Sequence, residues 1–151
     1  KGQLLLAVYA EGVARIGSAV DAALEAMATA DAWQRLAAAA EAHLSVLLDR
    51  AGFARVIVRV VPDDVPEVAA GLRALRDAYE ARFVTLFDAL DLTPDTDPRL
   101  LRLMLLGALN ATQVWAKPDS GRNTASDIAR QYVRALQAGA QANPDHDGAR
   151  V

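Results

Sequence analysis

The chain has 151 residues and no cysteine, which suits a single domain and excludes a disulfide framework or a thiolate zinc site. Its net charge of −3 gives no basic surface for direct binding to nucleic acid, and no stretch has the pattern of a membrane span or a signal peptide. Alanine and leucine dominate and aromatic residues make up 5%, so we predict an all-α, cytoplasmic domain of about six helices.

The first two predicted helices are amphipathic and follow each other closely. Apolar residues recur at helical spacing from about residue 2 to residue 29, which predicts one long helix. Asp31 is a suitable N-cap for a second helix over residues 32–50. Because the connection between them is short, we expect these helices to be antiparallel neighbours.

The middle of the chain is less regular. Residues 51–61 are rich in β-branched side chains, but no second strand is available to pair with them, so we predict a short helix there. Asp64 and Glu67 have the spacing of a capping box, which predicts the start of a helix over residues 65–90. That helix carries its charged residues on the side opposite its apolar stripe: Arg73, Arg76, Asp77, Glu80 and Arg82.

The next predicted helix contains the most apolar stretch of the chain. Asp97 and Pro98 are suited to the N-cap and the first helical position, and residues 103–116 carry no charge at all. A helix that is apolar nearly all round must be buried on more than one side. We therefore expect one side to pack on the rest of the chain and the other to pack on a second copy.

The last predicted helix follows a turn rich in polar residues. Thr124 and Asp127 have the spacing of a capping box for a helix over residues 125–138, and Gly139 is a suitable C-cap. Residues 141–151 are polar and contain proline and glycine, so we predict a disordered tail. We find no internal repeat and no second domain.

Several inward-pointing side chains are candidates for a ligand site. His43 shares the apolar face of the second helix, where it is either a core-edge histidine bonded to a backbone carbonyl or a polar contact for a ligand between helices. Aromatic residues on three helices point inward by periodicity, and two residues of the uncharged helix have a spacing that would face them. The predicted site is Tyr9, Trp33, His43, Tyr79, Phe83, Met104 and Thr112.

An enzymatic function is not predicted. The sequence contains no phosphate-binding loop, no metalloprotease motif and no di-iron motif. Four acidic residues cluster loosely, as the metal site of a small all-α lyase would require, but aspartate is common in caps and turns. These residues are Asp88, Asp91, Asp95 and Asp97. We predict no cofactor and no bound metal.

The uncharged helix also carries residues suited to self-association. Asn110 needs polar partners if it is buried, and a single buried polar residue often fixes the pairing of two helices. Small residues beside it and on the last helix allow close approach of helices. We predict a four-helix interface that the last two helices form with those of a second copy. The predicted residues are Leu103, Gly107, Asn110, Ala111, Val114, Ala129, Tyr132, Val133 and Leu136.

Residues 105–139, LLGALNATQVWAKPDSGRNTASDIARQYVRALQAG, resemble the last two core helices of TetR/AcrR-family transcriptional regulators. In that family, a similar segment runs to a tryptophan, a Pro/Gly turn and a Ser/Thr-initiated helix ending in glycine. The opening KGQLLLAVYAEGVARI is similar to the point at which such regulators leave their helix-turn-helix domain. The resemblance covers residues 1–140, and its two ends are more specific than its middle.

This resemblance implies an effector-sensing and dimerisation domain, with a DNA-binding module upstream that this chain lacks. It implies a repressor that a small apolar or amphipathic ligand releases from operator DNA by tilting the first helix. A dimer that binds half-sites about 34–36 Å apart loses them after a small change in spacing. Two alternatives remain: an α-helical protein-interaction module without a ligand, and a small all-α lyase.

Overall fold

A computed structural model of the chain describes residues 1–49, 58–116 and 123–140. These residues contain five α-helices and no strand, so the all-α prediction is confirmed. None of the described helices is long and apolar enough to cross a membrane. The helices are α1 (Gly2–Ala26), α2 (Ala32–Leu47), α3 (Ala69–Asp88), α4 (Pro98–Trp115) and α5 (Ala125–Ala140).

Three helices begin at the N-caps that the sequence predicts. Before α2, the Asp31 carboxylate accepts the Gln34 backbone N–H at 2.9 Å, and the Gln34 side chain accepts the Asp31 backbone N–H at 3.2 Å. Before α4, Asp97 accepts two backbone N–H groups of the first turn. Before α5, the Thr124 hydroxyl accepts the Asp127 backbone N–H, and the Asp127 carboxylate accepts the Thr124 backbone N–H. Each pair satisfies backbone donors that the helix itself leaves unbonded.

The predicted capping box before α3 is wrong. Asp64 and Glu67 lie in two successive 3-10 turns, Pro62–Asp64 and Pro66–Val68, and neither turn has a side-chain cap. A proline disfavours helical backbone in the residue before it, and Val65 accordingly has φ −135° and ψ 69°. The helix therefore begins only at Ala69.

The ends of the other helices also differ from the prediction: α2 ends at Leu47 rather than at about residue 50, and α3 ends at Asp88 rather than at residue 90. The helix α1 ends at Ala26, three residues early, in a hydrogen-bonded turn. The helix α5 continues through Gly139, so this glycine is not its C-cap. The Ala140 carbonyl accepts the Thr93 backbone N–H at 3.1 Å, so the loop before α4 bonds the last turn of α5.

Two predictions concern residues outside those described. The tail over residues 141–151 is one of them. The other is most of the short helix predicted over residues 51–61, of which Val58 and Arg59 are helical.

The helix α2 is the centre of the packing, because it contacts each of the other four helices. It pairs with α1, as the short connection predicts, and it is also the main contact of α5. Its buried side carries three alanines or leucines per two turns, and the small residues let neighbouring helices approach closely. The side chains with no exposure on this helix are Leu36, Ala39, Ala40, Leu44 and Leu47.

The helix α4 has one buried side and one exposed apolar side. Its inner side consists of Leu105, Leu106, Leu109 and Thr112, all buried. Its outer side carries large apolar residues that no part of the described chain covers: Leu100, Leu103, Met104, Val114 and Trp115. The uncharged stretch thus has an apolar surface that the described residues leave uncovered.

A candidate ligand-binding cavity

A cavity of about 280 Å³ lies among α1, α2, α3 and α4. Its volume is near the lower end of the range for small-molecule pockets, about 300–1,000 Å³. Most of its wall is apolar, and polar groups from all four helices interrupt it. The apolar wall residues are Val13, Ile16, Val58, Leu103 and Leu106.

Three polar wall residues form a hydrogen-bonded chain across three helices. His43 of α2 has its Nδ1 2.6 Å from the Tyr79 hydroxyl of α3. Its Nε2 lies 3.0 Å from Oδ1 of Asn110 on α4. Both ring nitrogens of His43 are therefore bonded to side chains, and the predicted alternative of a bond to a backbone carbonyl is not what the structure shows. The chain ties the three helices together at the cavity.

The His43 ring is neutral in this environment. Burial lowers the pKa of His43 from 6.5 to about 4, and the hydrogen bond to Asn110 acts in the opposite direction without cancelling that effect. The Phe83 ring packs edge-on against the imidazole, with ring centroids 6.2 Å apart. A charged imidazolium would lack a carboxylate partner here, because its two bonded neighbours are a phenol and an amide.

The direction of the hydrogen bonds follows from what each group has to donate. Burial raises the pKa of Tyr79, so its hydroxyl keeps its proton. That proton needs an acceptor, and the nearest is Nδ1 of His43. The remaining ring proton is then on Nε2 and is donated to Asn110 Oδ1. The opposite tautomer would leave the Tyr79 proton buried without an acceptor, at a cost of about 1–3 kcal/mol.

Tyr9 of α1 lines the same cavity and carries a hydroxyl that is unsatisfied. Its side chain is 1% exposed and forms part of the cavity wall. Its hydroxyl is buried and has no hydrogen-bond partner. The great majority of buried polar side-chain atoms in proteins are bonded, so this hydroxyl requires a partner that the described chain does not provide.

Two charged residues of α3 also contribute to the wall. Arg76 and Glu80 are half-buried and lie one helical turn apart. Neither forms an ion pair within the part of the chain that the structure describes. Sequence reasoning missed them because it placed them on the solvent side of the helix. Their position relative to Tyr79 could have identified them. Arg76 is one turn before this inward-pointing residue and Glu80 directly follows it, so both border the inward side of the helix.

The other predicted ligand residues lie elsewhere. Phe83 is buried behind the His43 and Tyr79 rings and is not part of the wall. Trp33 is buried at the start of α2, about 15 Å along the helix from His43. Thr112 bonds the Ala108 carbonyl at 2.9 Å and the Tyr132 hydroxyl at 3.2 Å, between α4 and α5. Met104 is 57% exposed and points away from the cavity.

The residues predicted for the dimer interface also divide into groups. Ala129, Val133 and Leu136 are buried against their own chain, so they offer no surface to a second copy. Tyr132 is half-buried, with its hydroxyl bonded to Thr112. Three residues of α4 belong to the cavity wall: Leu103, Gly107 and Asn110. Ala111 and Val114 are exposed. Leu103 and Gly107 are exposed as well, although they also line the cavity.

Within the described residues, no three histidine or acidic side chains lie close enough together to hold a metal ion. The four aspartates between residues 88 and 97 are all described, and Asp97 serves as the N-cap of α4.

A comparison with known families identifies a matching family. The model of the family described as "Tetracyclin repressor-like, C-terminal domain" matches residues 29–140. A search of curated proteins found no significant match. The matched range contains the His43–Tyr79–Asn110 chain, whereas Tyr9 and the rest of α1 precede it.

Proposed function

Because the chain belongs to the family of tetracyclin repressor-like C-terminal domains, we propose that it senses an effector and dimerises within a one-component transcriptional regulator. The observation that carries this proposal is the cavity among the first four helices. Its wall is mainly apolar with a few polar groups, which suits a small apolar or amphipathic molecule. The regulator is a repressor, and the molecule releases it from DNA.

The position of α1 supports a route from the cavity to DNA. Tyr9, Val13 and Ile16 belong to this helix and to the cavity wall. Further along, Asp21 of α1 forms a two-point ion pair with Arg82 of α3, at 2.7 and 2.8 Å. A ligand would therefore touch residues 9–16 of α1, whereas an ion pair ties the helix to α3 further on, at Asp21.

Such a helix would tilt about its anchored half and move a DNA-binding module attached to its start. Since a helix-turn-helix dimer reads half-sites one helical turn apart, about 34–36 Å, a shift of a few ångströms would weaken its grip on the operator. The ligand shifts the equilibrium only if it binds the released conformation more tightly than the DNA-bound one.

The exposed apolar side of α4 is the surface we propose for dimerisation. Contiguous exposed apolar residues are typical of interaction sites, and four of the residues exposed here are on our predicted interface: Leu103, Gly107, Ala111 and Val114. Because Leu103 and Gly107 also line the cavity, the same helix would serve both functions. Three of the α5 residues that we predicted for this interface, Ala129, Val133 and Leu136, are buried within their own chain.

A thermal-shift screen of the 151-residue chain with fatty acyl, steroid and aromatic compounds tests the sensing function. An effector should raise the melting temperature as its concentration rises, because binding at one hundred times the dissociation constant stabilises the folded state by about 2.7 kcal/mol. Asn110→Ala should weaken a hit severalfold.

Gln113→Ala is the matched control, since it truncates a half-buried amide on the same helix outside the cavity wall. Equal losses in the two variants would place the site elsewhere. A screen in which no compound stabilises the chain would contradict effector sensing and favour a protein-interaction module.

A further inference from the structure

The cavity wall is buried on one side and accessible to solvent on the other. The wall residues of α1 and α2 are all buried: Tyr9, Val13, Ile16 and His43. The half-buried and exposed wall residues lie mainly on α3 and α4, with Val58 before α3: Val58, Arg76, Glu80, Leu103, Gly107 and Asn110. Within the part of the chain that the structure describes, the cavity is therefore closed against α1 and α2 and open on the side of α3 and α4.

The unused hydrogen-bonding groups of the wall follow the same division. At the closed end, both ring nitrogens of His43 are bonded, and the Tyr9 hydroxyl has almost no accessible surface. On the open side, Arg76 and Glu80 form no ion pair with another described residue. Asn110 accepts the His43 proton with its oxygen, so its amide nitrogen keeps two N–H donors. A bound molecule therefore meets mainly apolar groups at the closed end and unused polar groups on the open side.

The two charges on the open side are opposite in sign. Arg76 and Glu80 lie one helical turn apart on α3. An ion of either sign would meet one opposite charge and one like charge there, so it would gain little to offset its transfer from water. An uncharged polar group has a lower transfer cost and can still form charge-assisted hydrogen bonds. The open side therefore favours an uncharged head group.

The volume of the cavity limits the length of its occupant. A space of about 280 Å³ holds roughly nine groups the size of a water molecule, at about 30 Å³ each. A chain of about eight carbon atoms with one polar end group would fill it.

We propose that the cavity binds a single-chain amphiphile with an uncharged head group, of the medium-chain alcohol type, with its apolar chain against α1 and α2 and its head on the side of α3 and α4. This inference rests on the proposed effector-sensing function and names the chemical class and the orientation of the effector. The apolar chain, rather than the head group, is then the part of the effector that contacts α1.

Isothermal titration calorimetry of the 151-residue chain with four probes of equal chain length tests this inference. The probes are 1-octanol, 1,8-octanediol, octanoate and octylammonium. We expect 1-octanol to bind most tightly. The diol differs from it only by a second hydroxyl, which has to enter the closed end without a hydrogen-bond partner. The diol should therefore bind about ten- to hundredfold more weakly.

A matched pair of variants locates the closed end. Val13→Thr replaces a methyl group with a hydroxyl in the wall of α1, so the preference for octanol over the diol should fall severalfold. Val20→Thr makes the same change at a buried position of α1 outside the wall, and it should keep the wild-type preference. The ratio of two affinities for one variant is insensitive to a small loss of stability.

A second pair of variants locates the head group. Glu80→Gln leaves the positive charge of Arg76 unbalanced on the open side, so the affinity for octanoate relative to octanol should rise about three- to tenfold. Asp77→Asn removes the same charge from an exposed position of α3 outside the wall. Because water and salt screen an exposed charge, this control should change the ratio by less than about twofold.

The outcomes separate this inference from the function on which it rests. A diol that binds as tightly as octanol would overturn the closed apolar end, and tighter binding of octanoate or octylammonium to wild type would overturn the uncharged head group. Equal ratios in Glu80→Gln and Asp77→Asn, or in Val13→Thr and Val20→Thr, would overturn the orientation. Effector sensing survives each of these results, because a ligand still binds. If none of the four probes binds, this inference is overturned, and a steroid or aromatic hit in the thermal-shift screen would show that the chain senses another class of molecule.

Discussion

The two sides of α4 have similar apolar compositions and opposite environments. Leu105 and Leu109 on the inner side are at most 1% exposed, whereas Met104 and Val114 on the outer side are 57% and 84% exposed. Asn110 lies at the boundary, half-buried and bonded to His43. The difference lies in what covers each side, since α2, α3 and α5 pack on the inner side alone.

This comparison shows that hydrophobic residues in one helix can serve two separate purposes. On the inner side, they contribute to the folding of a single chain through lost contact with water. On the outer side, they contribute nothing comparable until a second surface covers them. The stability of the protomer and its self-association should therefore respond to different substitutions on the same helix.

The largest effect should come from a matched pair of leucine truncations. Leu109 has no exposure and Leu100 is 58% exposed, and Leu→Ala makes the same chemical change in both. Leu109→Ala should lower the free energy of unfolding by about 2–5 kcal/mol through lost burial and a new void. Leu100→Ala should change it by less than about 0.5 kcal/mol. Urea unfolding followed by circular dichroism measures both. Similar losses would show that the two sides of α4 contribute equally to the stability of the protomer.

The next prediction concerns the boundary between the two sides, where His43 bonds Asn110. Because the pKa of His43 falls from 6.5 to about 4 on folding, the unfolded chain binds this proton between those pH values and the folded chain does not. The stability it contributes is complete above about pH 6.5 and is lost as the pH falls towards 4. The loss amounts to about 3 kcal/mol if the full shift is realised.

His43→Gln is the control for this pH dependence, because its amide can still accept the Tyr79 proton but does not titrate. Arg76, Glu80 and Tyr79 surround the same cavity in both proteins, so their contributions cancel in the difference. The free energies of unfolding of wild type and variant should diverge from pH 7 to pH 4, with wild type losing more. Parallel curves would show that His43 is exposed to water or paired with an acid.

The local features of the fold are those that the sequence predicts best. The caps at Asp31, Asp97 and Thr124 were predictable because each depends on residues within one turn of it. The capping box predicted at Asp64 and Glu67 is wrong for a local reason too, since Pro66 imposes a second short turn before α3 can begin. Caps can be derived from spacing alone only where no proline intervenes.

Partners between helices are harder to predict, because periodicity shows that a side is apolar without showing what covers it. Ala129, Val133 and Leu136 were expected to meet a second copy, but they are buried within the chain, on a helix whose main contact is α2. For the cavity, periodicity directs Tyr9, His43 and Tyr79 inward, and the structure places all three in one wall. It also directed Trp33 inward. That residue is buried, but it lies at the start of α2, too far from His43 to reach the cavity. The role of these wall residues in binding stays a prediction.

The smallest effect on folding, and the sharpest test of the outer side, should come from Val114→Arg. Val114 is 84% exposed, so the free energy of unfolding of the protomer should change by less than about 0.5 kcal/mol. A charge placed in the proposed interface would have to be buried without a partner on dimerisation. We therefore expect wild type to sediment as a dimer and the variant as a monomer. Ala74→Arg, on an exposed position of α3, is the control and should remain dimeric. If wild type sediments as a monomer at high micromolar concentration, or if Val114→Arg stays dimeric, α4 does not form the dimer and its outer side must bind another partner.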